Sequence, residues 1–285
     1  MFKQVISFIV VCFLVASRGV IGVAAGTSPK FDPPRKYYLA LGDSLAFGFQ
    51  FGIYNEHYPA VPPELFVHGY VDDFSQMLQP IRPDIQTINF GCPGETTETF
   101  VHGGCIYTAL GFQLHNTYSG SQLDAAIAFL RAHRGQVSPI TINLGENDLN
   151  SLRSLCGSDL SCYQIQGPKI LDKIAANLDQ ILGALRAVAP NTEIITFTNY
   201  DVAFLIDPRF LQLTDAFNAV VRSTAAAHGG RVADVFAAFN DPPQPATICS
   251  LTFICTSGDS HPTDAGYQVI AEQIWQVSEY DKLGE

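Results

Sequence analysis

Ser44 stands in the segment Gly42-Asp43-Ser44-Leu45, directly after an apolar run, and His261 stands in Asp259-Ser260-His261-Pro262 near the far end of the chain. Between them lie Gly91-Cys92-Pro93-Gly94 and Gly145-Glu146-Asn147-Asp148. A serine hydroxyl is a weak nucleophile until an adjacent base takes its proton. His261 is the best-placed base among seven histidines, because it follows an acid and precedes Pro-Thr at a helix start, where partial positive charge disfavours imidazolium. Gly94 through its backbone N–H and Asn147 through its amide are read as donors to an oxyanion, joined by the N–H of Ser44. Asp43 and Asp148 flank these positions and are expected to hold the loops by hydrogen bonds. The set supplies the nucleophile, base and oxyanion donors of ester hydrolysis, a cycle that needs no metal or organic cofactor.

Short apolar runs must carry these loops. Tyr37 to Leu41, Ile85 to Phe90, Ile140 to Leu144, Ile194 to Phe197 and Arg231 to Val235 read as strands, separated by helix-period segments. The helices are Leu123 to His133, Lys169 to Val188, Thr214 to His228 and Thr263 to Val277. In the second, Ile170, Ile174, Leu178, Ile181, Leu185 and Val188 form one stripe. This alternation predicts an α/β fold, a parallel sheet covered by helices on both faces, in one domain over residues 29–285. In such sheets ligands bind beyond the carboxyl ends of the strands, which is where Ser44, Gly94 and Asn147 fall. There is no G-x-S-x-G elbow and no G-x-G-x-x-G turn, which argues against an α/β-hydrolase and a dinucleotide-binding domain.

The four blocks, in this order, resemble those of the SGNH branch of the GDSL hydrolases, with Ser44, Gly94, Asn147 and His261 at the four named positions. The resemblance runs from Tyr38 to Tyr267. It implies a three-layer α/β/α sandwich around a central, mainly parallel five-stranded sheet, flavodoxin-like, and a serine ester hydrolase of the lipase/esterase type. It also favours Gly94 over Gly91, because Gly94 directly precedes Glu95-Thr96. The substrates so implied are small-molecule or lipid esters, with lipid or short-chain acyl groups. A carbohydrate O-acetylesterase, an acyltransferase using the same site, or a secreted binding protein that keeps the fold are the alternatives. The chain departs from the family's commonest pattern at the third triad position. Gly258 stands three residues before the histidine and the acid, Asp259, only two before, so either Asp259 or the Gly258 carbonyl is expected to orient His261.

Composition narrows the setting. Hydrophobic residues make up 47% of the 285 and charged residues 15%, which suits a buried core. Lys3, the apolar stretch Val5 to Ala16 and small residues ending at Ser17 or Ala25 have the form of a cleaved secretory signal over residues 1–25. An uncleaved anchor competes, because Gly19 to Ala25 is apolar again, yet a bilayer core needs ~20 apolar residues and no stable membrane insertion is expected. Cys12 would leave with the signal. The other six cysteines are spaced as three neighbouring pairs, Cys92 with Cys105, Cys156 with Cys162 and Cys249 with Cys255, one of about 15 connectivities. Disulfides suit an exported, extracellular protein, and no cysteine or histidine spacing fits zinc. A net charge of −11 disfavours nucleic acid as a partner, and a monomer is expected. Phe47, Phe49, Phe51, Tyr54, Tyr58, Phe66 and Tyr70 follow the nucleophile among prolines, as an acyl-binding wall or as the internal packing of a loop.

Overall fold

The computed structural model describes residues 33–284. The expected signal segment, with Lys3 and Cys12, lies outside the described residues. Five strands form one sheet: β1 (Tyr37–Gly42), β2 (Gln86–Asn89), β3 (Val137–Asn143), β4 (Ile194–Phe197) and β5 (Arg231–Ala233). Every neighbouring pair is parallel, in the order β2-β1-β3-β4-β5. The predicted strands are all present, because short apolar runs of this length have no competing helical period.

Side chains alternate across the sheet, so each strand feeds two cores. Leu39, Leu41, Ile140 and Ile142 join the helices Gln122–Ala132, Leu160–Val188 and Phe210–Ala227 on one face. Tyr38, Ala40, Ile195 and Phe197 join the helices Tyr70–Leu78 and Asp264–Ser278 on the other. These are the three layers. Thr141 would be a polar intruder on the second face, but its hydroxyl pairs with the buried Tyr38 hydroxyl at 2.7 Å.

The helix predicted from Lys169 begins nine residues earlier, at Leu160, and carries Pro168 in its interior. Proline is most at home in a first helical turn, and here it lies well inside the helix. The true start is set by Asp159, whose side chain accepts from the Ser161 and Cys162 N–H groups, and by the Cys156–Cys162 disulfide to the preceding helix. Cys92–Cys105 and Cys249–Cys255 are the other two bridges, so the neighbour pairing is the one present.

A third apolar cluster stands apart from both sheet faces. Phe47, Phe49, Val61, Phe66, Cys92, Cys105 and Leu114 form it beside the end of β1. The aromatic stretch after Ser44 is thus largely its own core, with a short helix at Phe51–His57 inside it.

Candidate active site

Chain reversal between β1 and β3 is where a ligand crevice belongs in this strand order, since neighbouring connections leave in opposite directions there. β1 ends on Gly42, with φ +134°, and a Cβ on it would lie 2.3 Å from the Asn143 carbonyl oxygen, so no side chain fits. Gln122 holds this turn from the adjoining helix, accepting from the Gly42 N–H at 2.7 Å and donating to its carbonyl at 3.0 Å. Asp43 then caps a one-turn helix, Ser44–Phe47, by accepting from the Leu45 N–H at 2.9 Å. Ser44 is its first residue, so its hydroxyl faces outward and its N–H needs no intrahelical partner.

Ser44 Oγ lies 2.9 Å from His261 Nε2, and His261 Nδ1 lies 2.6 Å from Asp259 Oδ1. Burial raises the Asp259 carboxyl, but the hydrogen bond from the His261 ring, the charge of that ring and the N–H groups of His261 and Phe51 together hold it below its ordinary range. An ionised carboxylate accepts only, which places the ring proton on Nδ1 and leaves the Nε2 lone pair facing the serine hydroxyl. Between the two expected orienters of His261, the ring nitrogen is on the Asp259 carboxylate; no bond to the Gly258 carbonyl exists among the described residues.

The loop carrying this base is stitched to the segment after the nucleophile. Phe51 N–H donates to Asp259 Oδ2 at 2.9 Å, Gln50 Nε2 to the Pro262 carbonyl at 3.2 Å, and the Tyr267 hydroxyl to the Phe49 carbonyl at 2.8 Å. The Phe49 and Phe51 rings meet the imidazole edge-on, with centroids 5.1 and 5.5 Å away.

Gly94 and Asn147 reach the same spot from β2 and β3. Gly94 has φ +79°, and a Cβ there would press to 2.8 Å from Ile106. Its N–H, like that of Ser44, donates to no protein acceptor among the described residues. Asn147 Nδ2 donates to the Glu95 carbonyl at 3.0 Å and lies 3.5 Å from Asp43 Oδ2. Asp148 clamps the two loops together, accepting from the Thr97 N–H at 2.9 Å and the Thr97 hydroxyl at 2.8 Å.

Acids crowd this centre. Burial raises the Asp43 carboxyl to about 7, against the Leu45 N–H and aided by the charges of Glu146, Glu95 and Asp148. A carboxyl whose folded value is raised stabilises the fold fully below its unfolded value, ~3.9, and loses that contribution as pH rises through about 7. Asp43→Asn is therefore expected to flatten the thermal-unfolding profile between about pH 4 and 7, removing a loss on the order of a few kcal/mol. An unchanged slope between wild type and variant would refute this. Cys92, Glu95 and Cys105 lie within metal-binding reach of one another, but both sulfurs are joined in a disulfide and offer no thiolate.

The resulting pocket is about 270 Å³. Ser44, Gly94, Asn147 and His261 line it, with Phe49, Phe51, Pro93 and Tyr107 on one side and Glu146, Asn150, Asn199, Tyr200 and Val202 on the other. Sequence reasoning missed Gln122, Tyr107, Asn199 and Tyr200. The position of Asn199 and Tyr200 just after β4 was the available signal, by the same carboxyl-end rule that singled out the other loops.

Residues 40–269 match the model of the GDSL-like lipase/acylhydrolase family. No curated protein matches the chain. Among solved structures it is similar to a Parabacteroides merdae protein assigned as a GDSL-like lipase, with 17% identity, a TM-score of 0.58 and coverage of 88% of this chain and 100% of that one. An extracellular lipase from Streptomyces rimosus gives 16%, 0.57, 85% and 99% in the same order. An acetylxylan esterase from Geobacillus stearothermophilus gives 19%, 0.53, 86% and 95%. At these identities the likeness is one of fold.

Proposed function

Because the chain belongs to the GDSL-like lipase/acylhydrolase family and is a carboxylic ester hydrolase, we propose that it works through an acyl-serine intermediate on Ser44. The observation that carries this reading is the run of contacts from Ser44 Oγ to His261 Nε2, at 2.9 Å, and from His261 Nδ1 to Asp259, at 2.6 Å. Ser44 Oγ attacks the ester carbonyl carbon as its proton passes to His261 Nε2. The tetrahedral oxyanion is held by the N–H groups of Ser44 and Gly94 and by the second hydrogen of Asn147 Nδ2, which exchanges its long 3.5 Å bond to Asp43 Oδ2 for the oxyanion while the first stays on the Glu95 carbonyl. Collapse expels the alcohol, which takes the proton from Nε2. Water then attacks the acyl-serine as its proton passes to Nε2, and collapse releases the acid while Nε2 returns that proton to Ser44 Oγ.

The acyl groups that suit the pocket are uncharged, because its wall on one side is Phe49, Phe51 and Tyr107, and we read the substrates as lipid or short-chain acyl esters. We read the enzyme as a secreted monomer. Its three disulfides suit an oxidising compartment and its charge of −11 opposes self-association, while no helix among the described residues is long and apolar enough to cross a membrane.

Rapid mixing with excess nitrophenyl butyrate tests the intermediate. A burst of nitrophenol equal to the enzyme present, and a fluorophosphonate mass adduct on the peptide containing Ser44, are the expected results. An adduct confined to another residue would overturn the assignment.

A further inference from the structure

Beyond Tyr107 lies a second cleft of about 430 Å³, lined by Tyr54, Tyr58, Pro59, Ala60, Val61, Pro62, Tyr107, Leu110, Gly111, Phe112 and Gln113. Tyr107 lines both cavities and stands between them. Tyr54 extends the partition, with ring centroids 5.6 Å from Phe49 and 5.9 Å from Tyr107. No Asp, Glu, Lys, Arg or His lines this second cleft, and Gln113 is its one side-chain amide. Its two sides are held in place by covalent and packed structure. The Cys92–Cys105 bridge ties the segment bearing Tyr107 to the loop of Gly94, and Phe49, Phe66 and Phe112 pack behind Tyr54.

We propose that this cleft receives the aliphatic acyl chain of the ester, which passes from Ser44 along Tyr107 into the space between Tyr54, Val61 and Phe112. The inference rests on Ser44 being the acylated residue. Walls of proline, valine, leucine and aromatic rings without charge accept hydrocarbon, and the only side-chain polar groups a glycosyl unit would find there are the hydroxyls of Tyr54, Tyr58 and Tyr107 and the Gln113 amide. The smaller pocket over Ser44 holds the reacting carbonyl, and the cleft supplies selectivity for chains longer than acetyl.

Nitrophenyl acetate and nitrophenyl octanoate, the latter below its aggregation concentration, give the test through their ratio of kcat/KM. Each methylene that enters the cleft is worth about fourfold, so three of them raise the octanoate-to-acetate ratio to about 60. Ala60→Trp, which fills the cleft, and Leu110→Glu, which puts a carboxylate at a rim position that is 71% exposed, are each expected to lower that ratio at least tenfold. Because the ratio is taken within one preparation, a partly folded variant does not distort it. A wild-type ratio near one, or a ratio unmoved in both variants, overturns the proposal. So does a loss in both variants confined to acetylated xylo-oligosaccharide, which would give the cleft to the alcohol instead. Hydrolysis that survives Ser44→Ala would sink the nucleophile assignment, a failure separable from any of these.

Discussion

Ser44→Ala is expected to reduce kcat for nitrophenyl butyrate by about 10⁶-fold, with KM and the melting temperature near their wild-type values. The size follows from what is lost and what stays. Removing Oγ abolishes the covalent route, while the N–H groups of residues 44 and 94 and the Asn147 amide remain to polarise a bound ester, which leaves a small rate above water alone. Little else changes, because the side-chain hydrogen bond of Ser44 runs to His261 and the one-turn helix is capped by Asp43. Steady-state kinetics on protein free of wild-type contamination settles the matter. Residual activity above a tenth of wild type would mean that another nucleophile, or activated water, does the work.

Asp259→Asn should cost about 10⁴-fold in kcat, the scale seen when a buried triad carboxylate loses its charge. Asp259 is 5% exposed and accepts three hydrogen bonds, from the His261 ring, the His261 N–H and the Phe51 N–H. An amide has one acceptor oxygen. Whichever way it turns, an NH₂ group faces a donor, so either the imidazole takes the wrong tautomer or the Phe51 N–H is left without a partner, at about 1–3 kcal/mol of stability. If the Gly258 carbonyl were the effective orienter, the loss would stay below about tenfold. The depressed carboxyl value adds a pH signature. Its stabilising contribution is present above the unfolded value near ~3.9 and is lost as pH falls through the lower folded value, so wild type and variant should converge in stability on strong acidification.

What could be read from the chain, and what could not, divides along physical lines. The central strands β1, β3 and β4 announce themselves because both faces of a parallel sheet are buried there, whereas the edge strands β2 and β5 are only partly buried and give a weaker signal. The four candidate positions were legible because each sits in a local turn whose glycine, proline or capping acid is adjacent in sequence. The helix Glu146–Cys156 escaped notice because its buried positions are only Asp148, Leu149, Leu152 and Cys156, too sparse for a periodic signal. Helices of four to six residues, such as Ser44–Phe47 and Thr97–His102, are shorter than any period can register and exist only by capping and tertiary contact. Gln122 reads as an ordinary helix residue. Its role in holding Gly42 and Glu95 arises from an approach across 80 and 27 residues of chain, which no local pattern encodes. Within the aromatic stretch Phe47 and Phe66 are interior while Phe51 borders the pocket.

The stitching of segment 49–51 to the histidine loop limits how this enzyme can adapt. Phe49 and Phe51 form one wall of the pocket, and the same residues, through the Phe49 carbonyl and the Phe51 N–H, brace Tyr267 and Asp259. Widening the pocket at these two residues displaces the groups that keep the imidazole aligned, so breadth of substrate there trades directly against turnover. Tyr107, whose ring centroid lies 5.5 Å from that of Phe49 in the same wall, carries no bond to the base loop among the described residues. Selection for bulkier acyl groups should therefore accumulate changes at Tyr107 and its neighbours, and leave residues 49–51 untouched.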